Sequence, residues 1–439
     1  MVKPIKVGII GCGVVGTGVV QILLEQKKLI QQKAGIEIEI SAVAARNWNK
    51  KRFYEVPKNL QTTDWKKVIE KSDIVVELVG GVDVAKEAVV QALKAGKPVV
   101  TANKHLIAEY GKELVSLARE NKTTILFEAA VGGGIPLIKV LKESLVSNNV
   151  EEIQGILNGT TNYILTRMEE DNLPFKEALK EAQEKGYAEA DPTFDIEGID
   201  AAHKITILAN LAFGGFVDFK KVFVEGITNV EVLDIKLGRE LGYTLKLLAI
   251  AKKNSKGQVE VRVHPTFIPM DNPLSNVRGV FNAVLFKSDY LGKLKLQGAG
   301  AGAYPTATAV VQDIVQLAKQ LSCCGKTFDI TPLGWKGKEE IPVAEDFYSR
   351  YYLRLDVEDK PGVLHQIAGI LAEKNISIAG VLQQEWVLKF VNDKNSAIPL
   401  IILTHKAYES QIKEALKEIQ KLPFVKKKPV LIRVEEERY

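Results

Sequence analysis

A glycine-rich turn between a buried strand and an apolar helix, close to the start of the chain, most constrains the fold. The strand IKVGII leads into GCGVVG, which places Gly11, Gly13 and Gly16 in GxGxxG spacing. The first glycine permits a tight turn, the second lets a pyrophosphate approach the backbone, and the third allows close helix–strand packing. A phosphate then sits on the helix N-terminus at Val14 and Val15. The pattern predicts a dinucleotide-binding βαβ unit.

Short apolar strands alternate with helical stretches over about the first 130 residues. SDIVVELVG and KPVVTAN are apolar on both faces and are separated by VAKEAVVQALKAG, which has helical spacing. A buried parallel sheet requires strands of this kind. We therefore predict an α/β fold with a doubly wound parallel (Rossmann) sheet over residues 1–134, completed by a helix at about 303–322.

Two further units follow along the chain. From 135 to 302 the strands lengthen and crossovers become fewer, which predicts a mixed α+β domain. Residues 323–346 are rich in proline, glycine and charge and are predicted to form a linker. Residues 347–439 are predicted to read strand, helix, strand, strand, helix, strand, which is the βαββαβ order of a ferredoxin-like domain.

Composition argues against several classes of protein. The net charge of +5 is mild for 439 residues, and no basic block with interleaved aromatics marks a nucleic-acid surface. No apolar run approaches about 18 residues, so we expect no membrane span. Cys12, Cys323 and Cys324 form no CxxC pattern, which favours free thiols and a cytoplasmic location.

The end of the second strand bears on the choice of cofactor. An acidic residue is usual there and accepts hydrogen bonds from the ribose hydroxyls, but this strand ends with Arg46, followed by Lys50 and Lys51. A guanidinium suits a 2′-phosphate, so NADP is favoured over NAD, with NAD still possible. Alternatively, Arg46 simply faces solvent.

The segment GYAEADPTFDIEGIDAAHK, residues 186–204, brings charges to the entrance of the apolar run ITILANLAF. Asp200 and Lys204 are spaced i, i+4 and share one helix face. Such a pair is usually a surface salt bridge, but this helix has little polar face to expose. With Glu189 nearby, two carboxylates could hold the ammonium of a zwitterionic substrate while the lysine exchanges a proton. His203 is expected to be structural.

Other segments allow two interpretations each. Lys104 follows a parallel strand, so it either projects into the crevice at the carboxyl ends or is a surface lysine. Gly132, Gly133 and Gly134 suit a hinge or a hard monovalent cation. Asn158, Thr160 and Thr161 are expected first as helix N-caps and second as substrate contacts. The cluster at Gly298, Gly300 and Gly302 is expected to provide close packing, and Gly302 a contact to the cofactor.

Taken together, these motifs resemble homoserine dehydrogenases over residues 1–320. The resemblance rests on GCGVVGTG, TANK, EAAVGGGIP, NGTTNYIL, GYAEADPTFDIEGIDAAHK, LGY and GAGAGAYPTATAVVQDI. The run DKPGVLHQIAGILAEKNISI resembles an ACT regulatory domain. The resemblance implies NAD(P)-dependent interconversion of L-homoserine and L-aspartate 4-semialdehyde in threonine, methionine and isoleucine biosynthesis, with residues 135–302 as the catalytic and dimerisation domain of a homo-oligomer that is at least a dimer.

The resemblance also implies roles for individual residues. Lys204 would donate the proton in the reducing direction, aided by Lys104 and Asp200, and Lys104 would also contact the cofactor. The substrate would be bound by Glu189, Asp195, Tyr187, Thr160 and Gly159. A sodium ion would be bound by the loop at Glu128, Val131, Gly133 and Ile135.

Competing enzyme classes fit less well. A hydroxy-acid dehydrogenase would need a His–acid pair, and a semialdehyde dehydrogenase a nucleophilic cysteine; neither occurs in a suitable context. A pure amino-acid sensor would leave the nucleotide motif unused. For the ACT unit, a threonine effector and a ligand-free dimerisation module both remain open.

Overall fold

The computed structural model describes residues 4–254, 256–327, 340–383 and 397–435. The N-terminal part is the predicted parallel sheet, whose strands are β1 Ile5–Ile10, β2 Ile38–Ala44, β3 Gln61–Thr62, β4 Ile74–Glu77, β5 Val99–Thr101 and β6 Ile125–Leu126. They lie in the order β3-β2-β1-β4-β5-β6, and every pairing is parallel. The order of the strands reverses at β1, because β2 and β3 lie on one side of it and β4 to β6 on the other. A crevice is expected at this point, where the glycine-rich turn lies.

Helices cover both faces of this sheet. They are α1 Val14–Glu25, α2 Lys27–Ala34, α3 Trp65–Lys71, α4 Asp83–Lys94 and α5 Lys104–Glu120, with 3₁₀ turns at Lys58–Leu60 and Glu128–Ala130. Val7, Val75 and Val99 on the strands are fully buried, as the apolar pattern predicted.

The second unit is built on a sheet whose strands are β7 Val150–Ile156, β8 Phe223–Val224, β9 Tyr243–Lys253, β10 Val259–Pro269, β11 Phe281–Ser288 and β12 Gly292–Ala299. These strands are antiparallel except for the short β8, which pairs in parallel with β10. Its helices are α6 Leu137–Lys139, which continues as a π-helical turn Val140–Ser144, α7 Gly159–Glu170, α8 Phe175–Glu184, α9 Thr193–Ile196, α10 Ile199–Phe213 and α11 Val232–Glu240, with a 3₁₀ turn at Phe219–Lys221. Helix α10 packs between this sheet and α5, so it links the two units.

The long helix α12 Ala303–Cys324 returns to the first unit and packs against α1. A Cβ at Gly18 would lie 3.1 Å from the Cβ of Ala307, so the small residues set the close approach of the two helices. A Cβ at Gly300 would lie 2.0 Å from Asn282 Nδ2, which supports a packing role for this glycine.

The C-terminal unit has the predicted βαββαβ order, with an additional two-residue strand before its second helix. Its elements are β13 Tyr348–Val357, α13 Val363–Glu373, β14 Ile378–Leu382, β15 Ile398–Thr404, β16 Ala407–Tyr408, α14 Glu409–Ile419 and β17 Val430–Val434. The strands lie in the order β17-β13-β15-β14. Helix α13 begins at Val363 after Gly362 in the left-handed conformation, so Pro361 precedes the helix and does not lie in its first turn.

The C-terminal sheet is continuous with the central one, which the sequence did not predict. Strand β17 pairs in parallel with β10 through Thr266–Arg433 and Phe267–Val434, which gives one eleven-stranded sheet. Arg354 of β13 donates to the buried carboxylate of Asp234 on α11 through Nε at 2.7 Å. Strand pairing and a buried ion pair therefore join the two units.

The predicted linker at 323–346 is only partly described, because residues 328–339 lie outside the described residues. Helix α12 extends to Cys324, and Glu340 and Val343 form isolated bridges with Phe216 and Val259. All three cysteines are free thiols. Over the described ranges, no helix has the length and apolar character needed to cross a bilayer.

Candidate active site

The glycine-rich turn leaves room for a ligand where the sequence pattern predicts one. Gly11 has φ +101°, and a Cβ there would lie 2.4 Å from the Leu78 carbonyl oxygen, so no other residue fits. Gly13 is the N-cap of α1 and, as a glycine, has no side chain that could cap the helix. Nothing lies within 4 Å of a Cβ built on it. The first-turn amides of α1 therefore have an open approach, as a pyrophosphate requires.

A cavity of about 490 Å³ opens beside this turn. Arg46 and Lys50 line it, together with Gly11 and Gly13. Both basic side chains are exposed. The crevice therefore has the size and charge that suit a phosphorylated nucleotide.

Arg52, which the sequence reading missed, fixes the loop that carries Arg46. Its Nε donates to the Cys12 carbonyl at 2.9 Å, Nη2 donates to the Asn47 carbonyl at 2.9 Å, and the guanidinium lies over the Trp48 ring. It thereby joins the loop after β2 to the glycine-rich turn. The basic residues at 50–52 indicate that a positively charged side chain lies in this region, but their pattern does not show which of the three points inward.

Glu77 is a second residue that sequence reasoning missed. It ends β4 with 0% exposure, and its carboxylate accepts hydrogen bonds from Thr101 Oγ1 and the Val79 amide, each at 2.6 Å. Thr101 Oγ1 in turn accepts from the Asn103 amide at 3.0 Å, directly before Lys104. The carboxylate therefore fixes the loop after β4 and also the end of β5, which Lys104 follows closely.

We predict that Glu77 makes stability pH-dependent. Burial raises its pKa from 4.5 to about 7, against the hydrogen bonds from Thr101 and Val79. Between these values the folded state binds more protons than the unfolded state, so stability falls as pH rises through this window, by up to about 3 kcal/mol. Melting temperatures of wild type and Glu77→Gln from pH 5 to 8 test this. A flatter slope is expected for the variant, and equal slopes would refute the assignment.

Lys204, Asp200 and Lys104 form a contiguous ion-pair cluster. Lys204 Nζ donates to Asp200 Oδ2 at 2.7 Å, and Lys104 Nζ lies 3.0 Å from Asp200 Oδ1. Asp200 and Lys204 lie one turn apart on α10, as the i, i+4 spacing predicts, and Lys104 is the first residue of α5. The pair is not a surface salt bridge, because Lys204 is only 8% exposed and Asp200 4%.

Two asparagines and a carbonyl hold this cluster in place. Lys204 Nζ also donates to the Leu157 carbonyl at 2.6 Å, and Asn282 Nδ2 donates to the same oxygen at 2.9 Å. Asn158 Nδ2 donates to Asp200 Oδ2 at 2.8 Å while its Oδ1 caps the Thr161 amide of α7. Of the three residues expected as N-caps, Asn158 is confirmed, whereas Thr160 and Thr161 lie inside the first turn of α7. The Asn158 side chain also orients Asp200.

The two carboxylates near Lys204 have pKa values that are shifted in opposite directions. Although burial acts to raise the pKa of Asp200, the ammonium groups of Lys204 and Lys104 hold it well below its ordinary value. Burial and the charge of Asp200 raise the pKa of Asp195, which accepts a 2.7 Å hydrogen bond from Asn158 Nδ2. Asp200 is therefore the ionised partner of the lysines.

Among the remaining predicted substrate residues, Thr160 is buried, whereas Tyr187 and Glu189 are exposed. Thr160 Oγ1 donates to the Tyr187 carbonyl at 2.6 Å, which ties the start of α7 at Gly159 to the loop before α9. Tyr187 is exposed and its ring packs on Tyr163. Glu189 is exposed, and its carboxylate has no hydrogen bond or ion pair with the described residues, so the structure does not bring it to Lys204.

The loop at 128–135 can supply backbone oxygens. Gly132 and Gly133 are both left-handed, with φ +73° and +57°. The Glu128 carboxylate accepts from the amides of Ile138 and Lys139 at 3.0 and 2.8 Å, so it is already engaged. Carbonyl oxygens remain as ligands for a cation, and no donor among the described residues contacts those of Val131 and Gly133.

Three sequence-family models match successive parts of the chain. A model described as homoserine dehydrogenase matches residues 136–315, and one described as its NAD binding domain matches residues 11–128. A model of the ACT domain matches residues 351–424.

Individual relatives extend the similarity to the whole chain. A homoserine dehydrogenase of Neisseria gonorrhoeae is 44% identical, with 99% of each chain covered. A crystal structure of a homoserine dehydrogenase from Thiobacillus denitrificans has a TM-score of 0.89 at 42% identity, again covering 99% of each chain. A hyperthermophilic archaeal homoserine dehydrogenase in complex with NADPH has a TM-score of 0.60 at 30% identity, covering 72% of this chain and 97% of the other.

Proposed function

This chain belongs to the homoserine dehydrogenase family, and from that premise we propose that Lys204, Asp200 and Lys104 carry out proton transfer in the interconversion of L-homoserine and L-aspartate 4-semialdehyde. The observation that carries the proposal is the shared carboxylate: Asp200 contacts Lys204 Nζ at 2.7 Å and Lys104 Nζ at 3.0 Å. A nearly buried lysine held in one position by an ionised partner suits general acid–base chemistry.

A bound nicotinamide cofactor supplies the hydride in one direction and accepts it in the other. The substrate oxygen must gain or lose a proton in the same reaction. Lys204 donates this proton in the reducing direction and accepts it in the oxidising direction. Asp200 and the Leu157 carbonyl accept hydrogen bonds from Lys204 and so fix where its ammonium points.

Groups around the cluster suit the amino-acid end of the substrate. Glu189 is the proposed anchor for the substrate ammonium, because its carboxylate is unpaired among the described residues. Asp195 and Tyr187 line the same side, and Gly159 and Thr160 begin α7, whose N-terminal end favours a carboxylate. Closure of the 187–191 loop over the substrate would bring Glu189 inward.

The direct test is consumption of NADPH with L-aspartate 4-semialdehyde by the purified full-length protein, and formation of NADPH from NADP with L-homoserine. Turnover in both directions is expected. Lys112→Ala is a matched control, because Lys112 lies on the same helix as Lys104 and forms an ion pair with the exposed Glu340. Absence of turnover in wild type would overturn the function, and equal turnover of Lys112→Ala and Lys104→Ala would overturn the role of Lys104.

NADP is the proposed cofactor because Arg46 and Lys50 line the nucleotide cavity at the end of β2. We predict that Arg46→Ala lowers kcat/KM for NADPH about 10- to 100-fold, the effect of one charged hydrogen bond, and changes kcat/KM for NADH little. Lys28→Ala, an exposed cation outside the cavity, is the control. Equal losses with both cofactors would contradict a contact to the 2′-phosphate.

A sodium ion is proposed for the loop that includes Glu128, Val131, Gly133 and Ile135, through backbone carbonyls. Hard monovalent cations prefer such oxygens. The ion would hold the hinge between the two N-terminal units. Replacing Na⁺ by tetramethylammonium at constant ionic strength should lower the melting temperature, and an unchanged value would remove the proposal.

For the C-terminal unit, an amino-acid effector, threonine, is proposed. Its sheet is continuous with the catalytic sheet through β10 and β17, which gives binding there a route to the active site. L-Threonine should inhibit the full chain while D-threonine does not. No inhibition by either would favour a dimerisation module without a ligand.

A homo-oligomer, at least a dimer, is also proposed. Strand β12 is an edge of the large sheet over the described residues, and Phe281, Tyr290 and Leu291 near it are exposed. Exposed edges and apolar side chains of this kind are usually covered by a partner. A monomer in sedimentation equilibrium would contradict this.

A further inference from the structure

A cluster of metal-ligating side chains lies beside the lysines but is not used by the proposed reaction. His105 Nε2 lies 2.9 Å from Glu109 Oε1, and His203 Nε2 lies 3.2 Å from the same oxygen. The three potential ligand atoms all lie within 4.8 Å of one another. Two imidazole nitrogens therefore lie on either side of one carboxylate oxygen, near enough together to share one ion.

This donor set has a definite chemical preference. Imidazole nitrogen and carboxylate oxygen are ligands of divalent transition metals, Zn²⁺ above all. In a tetrahedral site with bonds of about 2.0–2.1 Å, ligand atoms are separated by roughly 3.3 Å. The two N···O separations of 2.9 and 3.2 Å are already close to that value.

Access to the cluster is one-sided. His203 is 1% exposed, and its ring stacks on Phe219 with the centroids 4.2 Å apart, which fixes its orientation. The side chains of His105 and Glu109 are 40% and 32% exposed, so the cluster opens to solvent on their side. Three protein ligands with an open fourth position are typical of zinc sites that also hold a water molecule or another small ligand.

We propose that His105, Glu109 and His203 form a binding site for a divalent transition-metal ion, with Zn²⁺ the best suited. The ion would bridge α5 and α10 at the residues adjacent to Lys104 and Lys204, and would hold the two lysine-bearing helices together. This inference rests on side-chain geometry and does not depend on the proposed reaction.

The second ring nitrogen of His203 limits the affinity of this site for a metal ion. Its Nδ1 is buried without a hydrogen-bond partner among the described residues. A metal on Nε2 places the ring proton on Nδ1, where no acceptor stabilises it. Loss of such a partner typically costs 10–100-fold in metal affinity. The site is therefore weaker than a closed structural zinc site, and the ion exchanges with solution.

The test uses the full-length protein with Cys323→Ser and Cys324→Ser, because these exposed thiols would otherwise bind Zn²⁺. After chelator treatment, calorimetric titration with Zn²⁺ should give one ion per chain, and Co²⁺ should give the visible absorption of a tetrahedral site. Glu109→Gln and His105→Ala should each weaken Zn²⁺ binding at least tenfold. These side chains are partly exposed, so the variants are expected to fold.

The control is His365→Ala, which removes an exposed histidine in the C-terminal unit and should leave the titration unchanged. Absence of Zn²⁺ binding would overturn the proposal and leave the cluster as a stacked, hydrogen-bonded helix contact. Binding that survives both Glu109→Gln and His105→Ala would also overturn it, by placing the ion elsewhere.

Discussion

Replacing Lys204 by methionine is expected to lower kcat by about 10²- to 10⁴-fold in both directions, the usual contribution of a positioned general acid or base. Methionine keeps much of the apolar stem of lysine at this nearly buried position but cannot exchange a proton. Affinity for NADPH should change little, because the glycine-rich turn and the Arg46 cavity provide the contacts proposed for the cofactor. Steady-state rates and NADPH fluorescence titrations measure the two effects separately.

The control for this substitution is Lys112→Met, which removes an exposed lysine on α5 and should retain wild-type turnover. A Lys204→Met protein that binds NADPH normally and turns over within tenfold of wild type would exclude Lys204 as the proton donor.

Replacing Asp200 by asparagine is expected to lower kcat about 10- to 100-fold and to lower the melting temperature. The substitution removes the negative charge between Lys204 and Lys104, so that two ammonium groups face each other without a counter-ion. A hydrogen bond to a charged group contributes about 1.5–3 kcal/mol. If its loss raises the activation free energy by this amount, the rate falls about 10- to 100-fold. Breaking a buried ion pair also destabilises the fold.

The control for Asp200→Asn is Asp195→Asn. Asp195 shares the hydrogen bond from Asn158, but no ion pair joins it to either lysine within the described residues. Its replacement should cost less turnover and leave the melting temperature near that of wild type. Larger losses in Asp195→Asn than in Asp200→Asn would reverse the roles assigned to the two carboxylates.

Local spacing allowed much of this site to be predicted. The glycine spacing at Gly11, Gly13 and Gly16 fixes a turn whose steric requirements act over a few residues. The i, i+4 spacing of Asp200 and Lys204 likewise determines that they meet on one face of α10. Both features depend on backbone geometry alone, so the sequence carries them directly.

Contacts between distant segments could not be predicted in this way. Asn282 reaches the Leu157 carbonyl across 125 residues, and Thr101 reaches Glu77 across 24. These pairs depend on how strands and helices pack, and the spacing of residues along the chain does not indicate them. The parallel pairing of β10 with β17 is similar, because only two residue pairs define it.

Glu189 shows that the position of a side chain can also depend on a molecule outside the chain. Its carboxylate was expected at the site together with Asp200 and Lys204, yet Glu189 is exposed. The group proposed to hold Glu189 inward is the ammonium of a bound substrate, and the amino-acid sequence does not encode that contact. Local patterns therefore predict the ion pair of Asp200 and Lys204 better than they predict groups whose position depends on a ligand.

Chemical rescue of Lys204→Ala tests the central assignment most directly. The truncated side chain leaves space where a small primary amine, such as methylamine, can replace the lost ammonium. Turnover of L-aspartate 4-semialdehyde with NADPH should rise with amine concentration in Lys204→Ala and stay flat in Lys204→Met, where the side chain fills that space. No rise in Lys204→Ala, or an equal rise in both variants, would contradict proton transfer by Lys204.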